Sequence, residues 1–162
     1  MTPPLISNTG PILALSISGH LELIKHLYGG IWVPDAVDCE LRQGGRTGIG
    51  LSDYLKANWI EVKHQGKIDP LLLSQLDEGE AAVITLALKS NSKLVLIDER
   101  KARKIARLVY GLNVIGTVRI LIDSKKSGMI RNVEEILKIM QENGYWIHDD
   151  IIEYALKVAG EK

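Results

Sequence analysis

Three carboxylates end or interrupt apolar patterns in the chain. Asp98 follows the apolar run LVLI, and Glu40 and Glu80 fall on the predicted apolar faces of two helices. Carboxylates within about 4 Å of each other repel by roughly 4 kcal/mol per pair at an effective dielectric constant near 20, so a cluster needs protons or a cation. Oxygen ligands without Cys or His favour Mg²⁺ or Mn²⁺, which makes these acids a candidate metal site.

Each of these acids also has a simpler explanation. Glu40 can lie at the edge of its apolar stripe and reach water. Glu80 follows Asp77 by three residues, the spacing of a capping box at a helix start. Asp98 can cap the next helix, with Glu99 as an acid of its first turn. Both explanations stay open for all three acids.

A basic segment follows Asp98. On a helical wheel the apolar stripe is Ala102, Ile105, Ala106 and Val109, and the opposite arc carries Arg100, Arg103, Lys104 and Arg107. This arc is either a solvated face or a surface that follows a phosphate backbone. Hydrolysis of a phosphodiester bond needs metal ligands at the phosphate and cations along the flanking chain, so the arrangement suits that chemistry.

The overall composition limits the possible functions. The 162 residues are 46% hydrophobic and 25% charged, with a formal net charge of zero, so any attraction for nucleic acid must be local. A single cysteine, Cys39, excludes an internal disulfide and fits a reducing cytoplasm. The start MTPPLISNTG does not resemble a signal peptide, and no run approaches the length of a membrane span. Trp32, Trp59 and Trp146 are predicted in the core, in preference to positions where they would stack on bases.

Short apolar strands alternate with helices. The patterns predict strands at 5–7, 31–33, 59–62, 94–97 and 113–115, and helices between them, with two more helices at about 132–143 and 149–159. The segment GGRTGIG, residues 44–50, is predicted to be the most flexible. Such alternation predicts a three-layer α/β/α sandwich with a mostly parallel sheet and extra C-terminal helices.

The predicted site lies where the strands end. Ligands of open parallel sheets bind outside the carboxyl ends of the strands, so the residues that leave the strands are the candidates: Asn8, Pro34-Asp35, Asp98-Glu99 and Gly116-Thr117. If the strands before Asn8 and Asp98 are neighbours, their ends share one crevice, which Glu40 and Glu80 can reach from flanking helices. We predict one domain over residues 1–162, with a core at about 4–126 and a helical extension at about 127–162.

Five motifs in order resemble the PIN-domain superfamily, and specifically its DUF3368 family. They are ISNTGPILALSISGHLELI, IWVPDAVDCEL, LDEGEAAVITLAL, LVLIDERKARKIA and GLNVIGTVRILIDSKKSGMI. The resemblance implies a metal site made by Asn8, Glu40, Glu80 and Asp98, with Thr9 and Thr117 at its rim as groups for a metal water or a phosphate oxygen. PIN nucleases usually carry Asp at the first position, where this chain has the neutral Asn8.

The resemblance implies an Mg²⁺- or Mn²⁺-dependent ribonuclease in the cytoplasm, with a toxin-like role. Its expected partners are single-stranded RNA, a small antitoxin-like protein and a second copy of the chain, without a membrane. Asn8 cannot act as a base and lowers the charge of the site. The alternative is therefore a PIN-fold module, weak or inactive in catalysis, that binds RNA or a protein. A phosphoacceptor receiver domain is disfavoured, because Asn8-Thr9 and Gly116-Thr117 do not supply its acidic pair and its lysine.

Overall fold

Five short strands form one sheet in the computed structural model, which describes residues 4–43 and 51–162. All neighbouring strands are parallel, in the order β3-β2-β1-β4-β5, where the strands are β1 (Leu5–Ser7), β2 (Ile31–Pro34), β3 (Ile60–Lys63), β4 (Leu94–Leu96) and β5 (Asn113–Ile115). Every β1 residue is buried, as expected of a central strand covered on both faces. The five predicted strands are confirmed within about one residue.

Helices follow or precede every strand. Those in the described residues are α1 (Thr9–Ile17), α2 (Glu22–Tyr28), α3 (Asp35–Gln43), α4 (Leu51–Lys56), α5 (Pro70–Gln75), α6 (Glu78–Lys89), α7 (Arg100–Leu108), α8 (Thr117–Lys126), α9 (Val133–Glu142) and α10 (Asp149–Val158). The segment 44–50, predicted to be flexible, lies outside the described residues. No helix among residues 4–43 and 51–162 is long and apolar enough to cross a membrane.

The helices cover both faces of the sheet, which confirms the predicted three-layer α/β/α sandwich. On one side α8 packs against α1 and α2, and α9 and α10 pack against α8. On the other side α6 packs against β1, β2 and β4, and it contacts α3, α5 and α7. Because α6 is enclosed by the sheet and these helices, most of its residues are buried, as its nearly uniform apolar composition indicates.

The strand order reverses between β1 and β4. Strands β1 to β3 extend the sheet in one direction, and β4 and β5 extend it in the other. Ser7 pairs with Leu96, and the backbone N–H of Asn8 donates to the carbonyl oxygen of Leu96 at 3.0 Å. The ends of β1 and β4 are therefore neighbours, as the crevice prediction required, and they form the switch point at which such sheets bind ligands.

Two predicted core positions differ from the structure. Trp32 and Trp59 pack partly buried against the core, but Trp146 is 76% exposed, so its predicted core position is wrong. Tyr145 and Ile147 take the inward positions on either side of it. Val109, placed on the apolar stripe of α7, is also exposed because that helix ends at Leu108.

Candidate functional site

Two polar oxygens converge where α6 comes close to the end of β1. A Cβ atom added at Gly79 would lie 3.0 Å from Glu40 Oε2 and 3.2 Å from Asn8 Oδ1. Asn8 Oδ1 is buried and has no hydrogen-bond partner among the described residues. We call Asn8, Glu40 and Gly79 the open half of the site, because Gly79 leaves space where any larger residue would place a side chain.

Helix α3 and the start of α1 position Glu40. Val37 and Leu41 face the core, and Glu40 lies exposed at the edge of that apolar stripe. Its Oε2 atom nevertheless accepts a hydrogen bond of 2.9 Å from the buried hydroxyl of Thr9. Thr9 therefore holds the Glu40 carboxylate over the end of β1, so that Glu40 is neither fully solvated nor buried.

Glu80 is buried beside the open half, and its side chain takes part in capping the N-terminus of α6. Its Oε1 accepts from the backbone N–H of Asp77 at 3.2 Å, and Asp77 Oδ1 accepts from the N–H of Glu80 at 2.8 Å. These two bonds confirm the capping box. Burial raises the pKa of Glu80 to about 7, and the nearby carboxylates of Asp77 and Glu99 raise it as well. Glu80 therefore holds a proton through weakly acidic pH.

The Asp98 carboxylate is surrounded by donors. Its Oδ1 accepts from the backbone N–H of Thr117 at 2.7 Å, and its Oδ2 accepts from the Thr117 hydroxyl at 2.5 Å and from the Tyr145 hydroxyl. We call Asp98, Thr117 and Tyr145 the closed half of the site. A carboxylate offers about four lone-pair sites, so three of those on Asp98 are occupied.

Asp98 does not cap α7, which corrects one of the two explanations for it. Glu99 is the capping residue, and its side chain accepts from the backbone N–H groups of Lys101 and Ala102. Asp98 is thereby left to face α8, where a Cβ added at Gly116 would lie 2.8 Å from its Oδ1. Only glycine at position 116 permits this close approach.

Arg103 turns toward Asp98 and away from the rest of the basic arc. Its Nη1 donates to the carbonyl oxygen of Ile97 at 2.8 Å, and burial lowers its pKa while the Asp98 charge raises it. The side chains of Arg100, Lys104 and Arg107 are exposed, so they lie on the solvated face. Their contact with RNA stays a prediction.

The pocket of three carboxylates at Glu40, Glu80 and Asp98 stays a prediction. Among residues 4–43 and 51–162, no three His, Cys, Asp or Glu side chains are arranged to hold a metal ion. Glu80 and Asp98 are turned toward their own hydrogen-bond donors. The open half alone fits a hard cation, because it combines a buried amide oxygen without a partner, a carboxylate oxygen and the space at Gly79.

A model of the DUF3368 family, described as a PIN domain, matches residues 4–161. The chain belongs to this PIN-domain family. No curated protein matches it. The match includes α9 and α10 as well as the sheet, so it covers the segment that carries Tyr145.

Reasoning from sequence missed two residues of the candidate site in this PIN-domain protein. Gly79 shows no chemical signal by itself, although it precedes Glu80 in the quoted motif. Tyr145 is 47 residues from Asp98, in a segment without a motif. A tyrosine after the helix-ending pair Asn143-Gly144 was the only signal available. Thr9 and Thr117 were expected at the rim; both are buried, and each donates its hydroxyl to a carboxylate.

Proposed function

We propose that this PIN-domain protein is a ribonuclease that hydrolyses RNA phosphodiester bonds with Mg²⁺ or Mn²⁺, in a toxin-like role. The observation that carries the proposal is the convergence of Asn8 Oδ1 and Glu40 Oε2 on the space at Gly79. An unsatisfied buried oxygen costs free energy, and a cation beside it would recover that cost. The family supports nuclease chemistry in general.

Asn8 and Glu40 would hold the cation, with the Glu80 carboxyl beside them and bound to the Asp77 N–H. When bound, the cation would supply positive charge to polarise the phosphate. Thr9 keeps the Glu40 carboxylate directed at the site through its 2.9 Å hydrogen bond. Glu80, whose pKa is raised to about 7, would hold a proton beside this site below neutral pH and release it above.

At the neighbouring strand end, Arg103 would bind a phosphate oxygen beside the oriented carboxylate of Asp98. Thr117 and Tyr145 fix the orientation of the Asp98 carboxylate. Arg103 donates one N–H to the carbonyl oxygen of Ile97. A guanidinium carries five N–H groups, so Arg103 has further donors for a phosphate oxygen. Exposed Arg100, Lys104 and Arg107 would lie along the flanking RNA backbone.

Cleavage of single-stranded RNA in the presence of Mn²⁺ tests the proposal. We expect wild type to cleave, and Glu40→Gln and Asp98→Asn to lose most of the rate. Glu22→Gln, which changes an exposed acid in the first turn of α2, is the matched control and should keep the wild-type rate. Equal rates for wild type, Glu40→Gln and Asp98→Asn would overturn the mechanism.

The second candidate is a PIN-fold module that binds RNA or a protein partner without cleavage. The donors on Asp98 and the neutral side chain of Asn8 favour it, because both lower the capacity of the site for a divalent cation. Titration with Mn²⁺ in a calorimeter separates the candidates. Heat that saturates, and that is lost in Glu40→Gln, supports the nuclease; no binding at millimolar Mn²⁺ supports the module. A small antitoxin-like partner, a homodimer and a cytoplasmic location remain parts of the toxin-like proposal.

A further inference from the structure

Trp146 is held in solvent one residue away from the closed half. Tyr145 points inward and donates to Asp98, Ile147 is 7% exposed in the core, and Trp146 between them is 76% exposed. Consecutive Cα atoms are about 3.8 Å apart, so the backbone of Trp146 follows directly from the residue that touches the site. The indole is therefore exposed on the residue that follows Tyr145, the contact of Asp98.

The backbone on both sides of Trp146 is anchored. The N–H of Tyr145 donates to the carbonyl oxygen of Met140 at 2.9 Å, and His148 caps α10 by accepting from the N–H of Asp150 at 3.2 Å. The rings of Trp146 and His148 meet edge to face with centroids 5.5 Å apart. An aromatic ring on an anchored backbone loses little conformational entropy when it binds a ligand.

Positive charge lies near Asp98, the carboxylate that Tyr145 contacts. Asp98 also lines a cavity of about 530 Å³ between α8 and α10, together with Arg103, Arg119 and Lys126. Asp123 lines it as well and pairs with Arg119 at 2.8 Å, and Arg103 lies near the Asp98 charge. Lys126 is a lining cation for which the described residues show no salt bridge. Proteins bind single-stranded nucleic acids with cationic side chains and exposed aromatic rings together, and Asp98 connects the two features here because it lines the cavity and contacts the residue before Trp146.

We propose that Trp146 stacks on a base of single-stranded RNA next to the phosphate held near the closed half. The inference rests on the proposed function for the class of ligand, and it adds the residue that contacts the base. Tryptophan is highly buried in most proteins, and this indole is instead exposed and available to a ligand. A stacked base contributes to binding without requiring a particular sequence, because every base has a π-face.

Fluorescence anisotropy of a short labelled single-stranded RNA tests the inference, in EDTA so that no cleavage occurs. We expect Trp146→Ala to weaken binding roughly tenfold and Trp146→Phe to keep most of it, because phenylalanine preserves an aromatic face. Trp146→Leu should bind as weakly as Trp146→Ala. Leu71→Ala, which truncates a 70% exposed side chain on α5, is the control and should bind like wild type.

Intrinsic fluorescence provides a second measurement. Stacking should quench the Trp146 emission when RNA is added, and Trp146→Phe, which retains Trp32 and Trp59, should show little quenching. Double-stranded RNA should compete poorly, because its bases are already stacked.

Each outcome decides the inference separately from the nuclease proposal. Wild-type binding by Trp146→Leu would overturn stacking in favour of a nonspecific apolar contact. Wild-type binding by Trp146→Ala would overturn the inference and leave the nuclease proposal untouched. Absence of RNA binding by wild type would overturn the inference, and Mn²⁺-dependent cleavage would decide the RNA substrate separately. The expected binding and quenching without any Mn²⁺-dependent cleavage would support the inference and overturn the nuclease.

Discussion

The open half and the closed half lie at adjacent strand ends, but their oxygens are satisfied in opposite ways. Asn8 Oδ1 is buried without a partner in the described residues, and Glu40 accepts from Thr9 alone. Asp98 accepts from three donors. A cation binds most favourably to oxygens that lack hydrogen-bond donors, so we expect it to bind at the open half before the closed half. The difference teaches that acidic residues at one sheet edge need not be equally available to a metal.

The two halves also differ in the chain segments that build them. The open half is made by α3, α6 and the end of β1, all within the sheet and its adjacent helices. The closed half depends on Tyr145, which enters from the turn between α9 and α10. Changes in the C-terminal helices should therefore affect Asp98 first. They can also affect the start of α1, because α9 packs against α1 and the Tyr145 hydroxyl lies beside Gly10.

The largest expected effect concerns the proton on Glu80 beside the open half. Its folded pKa of about 7 lies above the ordinary value of 4.5, so the folded protein keeps a proton that the unfolded chain loses. Stability should fall as pH rises between these values, by about 3 kcal/mol from Glu80 alone. Glu80→Gln keeps the capping acceptor and has no titrating proton, so its stability should not fall in this way. The free energy of unfolding of Glu80→Gln, relative to that of wild type, should therefore increase by about 3 kcal/mol between pH 4.5 and 8.

Urea unfolding of wild type and Glu80→Gln at several pH values measures this difference in free energy of unfolding. Parallel pH profiles for wild type and Glu80→Gln would contradict a raised pKa. Addition of Mn²⁺ should reduce the difference at pH 6, because a bound cation favours the ionised carboxylate.

Gly79→Ala should remove the space of the open half. Its Cβ would lie 3.0 Å from Glu40 Oε2, so the end of that side chain must move and the space is filled. We expect Mn²⁺ affinity, measured by calorimetry, to fall about 100-fold, the upper end of the range for changes around metal ligands. Stability should change by less than about 1 kcal/mol, because alanine also favours a helix. Unchanged Mn²⁺ affinity in the folded variant would show that the cation binds elsewhere.

Tyr145→Phe should loosen the closed half. It removes a hydrogen bond to a charged oxygen, which contributes about 2 kcal/mol to stability. Urea unfolding measures the loss. Tyr154→Phe, on a tyrosine that is 63% exposed in α10, is the control and should change little. If both variants are equally stable, the Tyr145 contact does not hold Asp98.

Asn8→Asp should have the smallest effect. It adds a charge to the open half, and both atoms at its end are oxygens, whereas rotation of the Asn8 amide presents N–H instead. We expect Mn²⁺ to bind about tenfold more tightly, since desolvation offsets most of the added attraction. Calorimetry at one pH measures the gain. Weaker binding than wild type would contradict the placement of the cation beside Asn8.

Much of the fold could be predicted because it depends on local patterns. Apolar runs of strand length predicted β1, β2, β4 and β5, and the spacing of Asp77 and Glu80 predicted the capping box of α6. The neighbouring positions of Asn8 and Asp98 followed from the general behaviour of parallel sheets. The orientation of each side chain did not follow, because it depends on donors far away in the sequence.

The sequence by itself determined the parallel α/β architecture, the family and the set of polar residues at the strand ends, because periodicity and residue type act over short distances along the chain. Only the tertiary structure decided that Gly79 opens a space beside Asn8, that Tyr145 closes Asp98 and that Trp146 faces solvent. Those outcomes depend on contacts between segments such as 98 and 145. Helix packing sets such contacts, and no spacing within either segment encodes them.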